Sequence, residues 1–151
     1  LESNMLGAIE FIRATIDPMI EQRWGRIVNI TSGAVKAPIA PLGLSNAART
    51  GLTGFIAGLS RQVAQHNVII NNLLPGMFAT DRLLVPMRAQ AEQQGKSVED
   101  VIEAVTQSIP ARRLGDPAEF GEMCAYLCSR QAAYLVGQNV LMDGGYINST
   151  M

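Results

Sequence analysis

Three β-rich runs limit what this chain can fold into: "IVNIT" at 27–31, "NVIINNLLPG" at 67–76 and "NVLMDGG" at 139–145. Each is nearly continuously apolar, the signature of a strand covered on both faces, as strands of parallel sheets are. Helical periodicity fills the spaces between them. Before the first run, Leu6, Ile9, Ile12, Ile16 and Ile20 recur at helical spacing, in a helix predicted to reach about Gln22 with Pro18 in its last turns. Between the first and second runs, a helix through "AARTGLTGFIAGLSRQVAQ" sets Leu52, Phe55, Ile56, Leu59 and Val63 on one side. Its other side carries Ala48, Gly51, Gly54 and Gly58. Glycine costs roughly 1 kcal/mol in a helix interior, so these glycines predict close approach of another backbone. Alternation of helix and strand specifies α/β architecture with a parallel sheet. In such sheets ligands bind beyond the carboxyl ends of the strands, here residues 31–36, 75–81 and the segment that follows.

Composition removes several function classes. A net charge of −1, with no block of Lys or Arg, argues against nucleic acid as a partner. No apolar run reaches the ~18 residues that span a bilayer, and no signal-peptide pattern opens the chain. The two cysteines, Cys124 and Cys128, stand four apart in a helical stretch with no histidine near them. They read as buried free thiols of a reducing cytoplasm, not as a disulfide or a metal site. His66, the only histidine, reads as a turn residue in "QHN".

Local signals place the candidate chemistry. In "PLGLSNAARTGLTGF" (41–55), Ser45 and Arg49 lie one helical turn apart, and Ser45 or Asn46 is the expected cap of the helix. Residues 77–109 carry two helical stretches, 83–93 and 98–107, split by Gly95, as in a lid or binding segment; Leu83, Leu84, Val85 and Met87 predict an apolar surface on it. Asp116, Pro117 and Glu119 are the start signals of a further helix. The first helix is already well formed at residue 1, with no initiating methionine, which reads as a cut chain.

The strand ends resemble the short-chain dehydrogenase/reductase family. "GRIVNITS" resembles the family's fifth strand, which ends on its catalytic serine, here Ser32. "NNLLPGMFAT" resembles the family's N-x-x-x-P-G-x-x-x-T, with Asn71, Pro75, Gly76 and Thr80 in register. "IPARRLGDPAEF" and "VGQNVLMDGG" resemble its C-terminal signatures. Counting from Ser32 places the family's asparagine at Asn4, its tyrosine at Ser45 and its lysine at Arg49.

The resemblance implies the C-terminal part of one Rossmann-like, doubly wound NAD(P)-binding domain over residues 1–151, with the Gly-rich cofactor half absent. Roughly the first hundred residues of a longer parent are then missing, and the first strand has an unpaired edge. NAD or NADP is the implied cofactor, and Thr31, Arg49, Pro75, Gly76, Phe78 and Thr80 are the implied cofactor contacts. Carbonyl and alcohol interconversion on a small apolar substrate is the implied reaction. A homodimer or homotetramer through the 45–64 helix and the C-terminal segment is the implied assembly. The alternative is an impaired member that binds nucleotide or oligomerises without turnover.

The chemistry departs from the family where it matters. A serine hydroxyl ionises far above the ~10 of tyrosine, and arginine stays protonated where lysine can pass a proton. Ser32, Ser45, Arg49, Asn4 and Lys36 are the catalytic candidates, with Lys36, a lysine in the loop beyond the first strand, as a replacement proton source.

Overall fold

The computed structural model describes residues 1–149. Three strands, β1 (Gly25–Ile30), β2 (Val68–Pro75) and β3 (Asn139–Met142), form one parallel sheet in the order β1-β2-β3. The α/β expectation is met. β1 starts earlier than its apolar run, because pairing begins at Gly25, whose N–H donates to the Asn67 carbonyl at 3.2 Å. β3 stops at Met142, short of "DGG". There the Asp143 carboxylate accepts from the N–H groups of Gly145 (2.9 Å) and Ile147 (2.7 Å), turning the chain away from the sheet.

Residues 68–74, almost the whole of β2, are buried, so this strand forms the centre of the fold. α1 (Gly7–Glu21), entered through a π turn at Glu2–Leu6, and α2 (Gly43–Val63) cover one face of the sheet. Ile12, Leu52, Ile56 and Val63 meet Val68 and Ile70 in that core. On the opposite face Asn71 fixes the segment that leads into β3: its Nδ2 donates to the Leu135 carbonyl at 2.7 Å, and its Oδ1 accepts from the Gln138 N–H at 2.8 Å.

A row of amides crosses the sheet. Asn29 donates to Asn72 Oδ1 at 3.2 Å, and Asn72 donates to Asn139 Oδ1 at 2.8 Å, each pair in direct register. Buried polar groups are tolerated only when paired, and here neighbouring strands supply the partners.

α3 (Asp81–Gln94) and α4 (Val98–Thr106) form a helical hairpin with its own core of Met87, Ala91 and Val101. Gly95, at φ +61°, ends α3 in the left-handed conformation, and a Ser97–Asp100 capping box starts α4. α5 (Pro117–Leu127) begins with the expected Asp116–Glu119 capping box and Pro117. His66 closes a 3₁₀ turn at Ala64–His66, in keeping with its reading as a turn residue.

Several expectations fail, each for a local reason. Neither Ser45 nor Asn46 caps α2: the helix starts at Gly43 behind a 3₁₀ turn at Ala40–Leu42, and its cap position, Leu42, has no side-chain capping bond. Asn46 instead donates to the Ile39 carbonyl at 2.8 Å. Within one copy of the chain, the atom nearest a Cβ on Gly51 belongs to a side chain and not to a backbone. A Cβ on Gly51 would strike the side-chain sulfur of Met5, while Gly54 and Gly58 face open space. Phe55 is exposed beside the buried Leu52 and Ile56. Cys124 is half-buried and Cys128, just past the end of α5, is exposed, so the thiols are free but not buried. Met87 packs against α4 and Val85 points outward, so only part of the expected apolar surface of α3 faces the sheet end. Among the described residues no helix is long and apolar enough to cross a membrane.

Candidate active site

The site begins where β1 ends. Thr31 is buried, with its N–H donating to the Leu73 carbonyl at 3.0 Å, so it still follows the sheet. Ser32 then caps a short 3₁₀ turn, Gly33–Val35, its Oγ accepting from the Ala34 N–H at 3.1 Å. Because α2 starts two residues before Ser45, Ser45 lies inside its first turn and Arg49 one turn further on. Arg49 Nε donates to Ser45 Oγ at 3.2 Å, and Nη1 donates to the Thr31 carbonyl at 2.6 Å. The guanidinium therefore joins the start of α2 to the end of β1. Its Nη2 makes no hydrogen bond among the described residues. Burial lowers the pKa of Arg49 from the usual arginine value, and the nearby charge of Arg82 lowers it further.

The opposite wall comes from the end of β2. Pro75 and Gly76 turn the chain, and a Cβ on Gly76 would sit 2.6 Å from the Asp143 backbone. Contact with the turn after β3 is thus enough to require glycine there. Phe78 follows, bridged to Gly115 as an isolated parallel pair, with the Phe120 ring edge-on at 5.1 Å. Thr80 occupies the cap position of α3, yet its side chain makes no capping bond.

These walls enclose a cleft of about 480 Å³. Thr31, Ser32, Ser45 and Arg49 line one side, and Pro75, Gly76, Phe78 and Thr80 line the other. Thr31 Oγ1 is buried without a hydrogen-bond partner. The candidate residues from the two strand ends and from the start of α2 thus meet in one place, with two exceptions. Asn4 lines a neighbouring groove of about 460 Å³ along β1, which shares Arg49 with the cleft. Lys36 ends the 3₁₀ turn and lies on neither lining.

Arg82 also lines the cleft, and the sequence reading missed it. A signal was available: a cation in the first turn of a helix opposes the helix dipole, so its presence there asks for another reason. Leu42 and Phe120 were missed too, because no local pattern connects a loop leucine or a helix phenylalanine with a distant strand end.

A family model described as enoyl-(acyl carrier protein) reductase, of the short-chain dehydrogenase type, matches residues 1–147. The chain belongs to the short-chain dehydrogenase/reductase family. Acetoacetyl-CoA reductase of Cupriavidus necator is 33% identical over 147 residues, which are 96% of this chain and 54% of that protein. The 3-oxoacyl-[acyl-carrier-protein] reductase FabG of Vibrio cholerae is 32% identical over 147 residues, 96% of this chain and 55% of its own length. Among solved structures, YwfH, an NADPH dependent reductase involved in bacilysin biosynthesis, superposes with a TM-score of 0.84 at 30% identity, covering 96% of this chain and 56% of that one. The chain thus spans about half the length of the relatives it matches.

The cleft sets two serine hydroxyls beside a guanidinium. Ser32 and Ser45 each accept a hydrogen bond from an N–H, which leaves each hydroxyl proton free to be donated. Two such donors can bind and polarise a carbonyl oxygen. Arg49 supplies fixed positive charge beside them and holds its proton throughout.

Proposed function

We propose that the intact protein is an NAD(P)-dependent oxidoreductase that interconverts a carbonyl and an alcohol in the cleft at the carboxyl ends of β1 and β2. The observation that carries this reading is the gathering of Ser32, Ser45, Arg49 and Thr80 from separate elements around one cleft. The reductases to which the chain is similar support the reaction class.

The residues present fit the nicotinamide-ribose end of a dinucleotide. Thr31 Oγ1 is buried and unpartnered, Arg49 keeps an open Nη2, and Thr80 keeps a free hydroxyl, which together suit ribose hydroxyls and a carboxamide. When bound, the nicotinamide supplies or takes the hydride. The chain's own part is to orient the substrate oxygen between the Ser32 and Ser45 hydroxyls. In reduction the Ser45 hydroxyl donates its proton to that oxygen and is reprotonated from water. Arg49 favours the negative charge that builds there. Gly76, Pro75 and Phe78 form the wall against which the substrate and the nicotinamide are placed.

In this reading residues 1–151 are the C-terminal part of a single NAD(P)-binding domain. The protein works in the cytoplasm as a homodimer or homotetramer, with the open Gly54 and Gly58 face of α2 as the contact. Catalytic roles for Asn4 and Lys36 belong to the same reading, Asn4 through the groove that shares Arg49 and Lys36 only if its loop moves toward the cleft.

A second reading has one observation in its favour: no residue lining the cleft carries a group that titrates near neutral pH. The protein would then bind nucleotide without turnover. Cofactor titration of the intact protein, followed by NAD(P)H oxidation over a panel of carbonyl compounds, separates the two. Tight binding with no oxidation across the panel removes the enzyme reading. If turnover is found, Ser45→Ala and Lys36→Met distinguish the proton sources, since a change that leaves the rate intact acquits its residue.

A further inference from the structure

Charge in the cleft is unbalanced. Arg49 and Arg82 both line it, and no Asp or Glu does. Neither arginine forms an ion pair with any described residue. Arg82 makes no hydrogen bond there either, although the other guanidinium on a wall of the same cleft is held by two. Asp81, the sequence neighbour of Arg82, is not part of the lining. Like charges at close range repel, and the proximity of Arg82 is felt at Arg49. Folding gains nothing from such a pair, and Arg82 also stands in the first turn of α3, where the helix dipole disfavours a cation.

The rest of the lining is largely apolar: Leu42, Met77, Phe78, Leu83 and Phe120 contribute side chains to it. A ligand that satisfies this surface has an anionic end for the two guanidinium groups and an apolar body. Arginine forks pair best with planar carboxylates and with phosphates.

We infer that Arg82, with Arg49, is a specificity residue that selects substrates bearing a carboxylate on an apolar chain. Resting on the carbonyl-reductase reading, this defines the substrate class as apolar oxo acids. With Nε on Ser45, Nη1 on Thr31 and Nη2 given to the ribose, Arg49 acts on the carboxylate through its charge, and the hydrogen bonds fall to Arg82. Arg82, unpartnered in the lining, meets the same group from the first turn of α3.

The test uses the intact protein and a matched pair of probes, octanoate and octanamide, followed by calorimetry at low salt. Octanoate is expected to bind roughly tenfold more tightly than octanamide, the size of one charge-assisted contact. Arg82→Gln is expected to bring the two within about twofold, while Arg82→Lys keeps most of the preference. Raising the salt should erode the octanoate advantage and leave octanamide unchanged. Equal binding of the two probes overturns the inference, as does a preference that survives Arg82→Gln. An Arg82→Gln protein that loses affinity for NADPH but not for octanoate also overturns it, by giving Arg82 to the cofactor's phosphates. The underlying reductase reading fails differently: octanoate preference with no NAD(P)H oxidation on any oxo acid or ketone removes that reading and leaves the carboxylate seat. Turnover of neutral ketones without an octanoate preference does the reverse.

Discussion

Arg49 donates a 2.6 Å hydrogen bond from Nη1 to the carbonyl oxygen of Thr31, so the first turns of α2 are tied to the residue at which β1 gives way to the cleft. Lysine cannot make this contact and hold Ser45 at the same time with fixed geometry, because its ammonium is a point charge on a flexible stem. Arginine at this position is therefore structural as well as chemical.

Arg49→Met should lower stability by about 1.5–3 kcal/mol, the range for a hydrogen bond from a charged donor. Urea denaturation followed by circular dichroism measures it. An unchanged midpoint would mean that the tie is incidental. On the proposed reading, the double change Ser45→Tyr with Arg49→Lys places a tyrosine and a lysine one helical turn apart in the cleft of the intact protein. It is expected to raise carbonyl turnover by roughly a hundredfold, the low end of the range for a positioned proton donor. A rate at or below that of the parent protein would show that something other than the missing tyrosine limits the reaction.

Asn72 stands between Asn29 and Asn139 and serves both. Asn72→Leu is close in size but leaves the Asn29 amide and the Asn139 carbonyl without partners. The expected loss is about 1–3 kcal/mol per orphaned group. A neutral result in denaturant unfolding would mean that water replaces the row.

Gly54 and Gly58 lie on an open helix face, where a Cβ on either would meet no atom within 4 Å. Replacing either by alanine should stabilise an isolated α2 surface by about 1 kcal/mol through helix propensity. If copies of the intact protein meet there, Gly54→Leu will instead shift sedimentation velocity toward a smaller species. Identical sedimentation of parent and Gly54→Leu protein removes this face as a contact.

Glu119 is held near pH 2 by its two contacts with Arg113, at 2.8 and 2.6 Å, and by the Asp116 N–H. Its folded-state value lies below the ordinary 4.5, so its contribution is present above that pH and is lost as pH falls toward about 2. The site is solvent-exposed, and the effect is expected to be small and to shrink in salt. Thermal unfolding between pH 5 and 2 should fall more steeply for the parent protein than for Glu119→Gln. Parallel curves would remove the capping box from the acid response.

Much of this was legible in the sequence because it depends on neighbours in the chain. The parallel sheet followed from three apolar runs, the α5 start from Asp116 and Glu119, and the Ser45–Arg49 pairing from a spacing of one helical turn. What stayed hidden depends on where an element begins or what crosses it. Ser45 loses its capping role because Leu42 and Gly43 extend the helix backwards, a tertiary choice that no cap signal announces. Cys128 is exposed because α5 ends just before it. The Thr31 carbonyl as a partner for Arg49, and the meeting of Arg82 with Arg49, join residues on different elements, and no periodicity encodes such meetings.

The pairing of Phe78 with Gly115 has a consequence for how this cleft can change over evolution. Gly115 lies against the Phe78 ring, and a Cβ there would sit 2.5 Å from it. Backbone bonds from Ala79 to Gly115 and from Gly115 to Met77 stitch the two segments together. Any side chain gained at residue 115 must displace the phenylalanine ring, which is part of the cleft lining. A single mutation behind the wall can thus retune which molecules are admitted, leaving every residue that touches them unaltered.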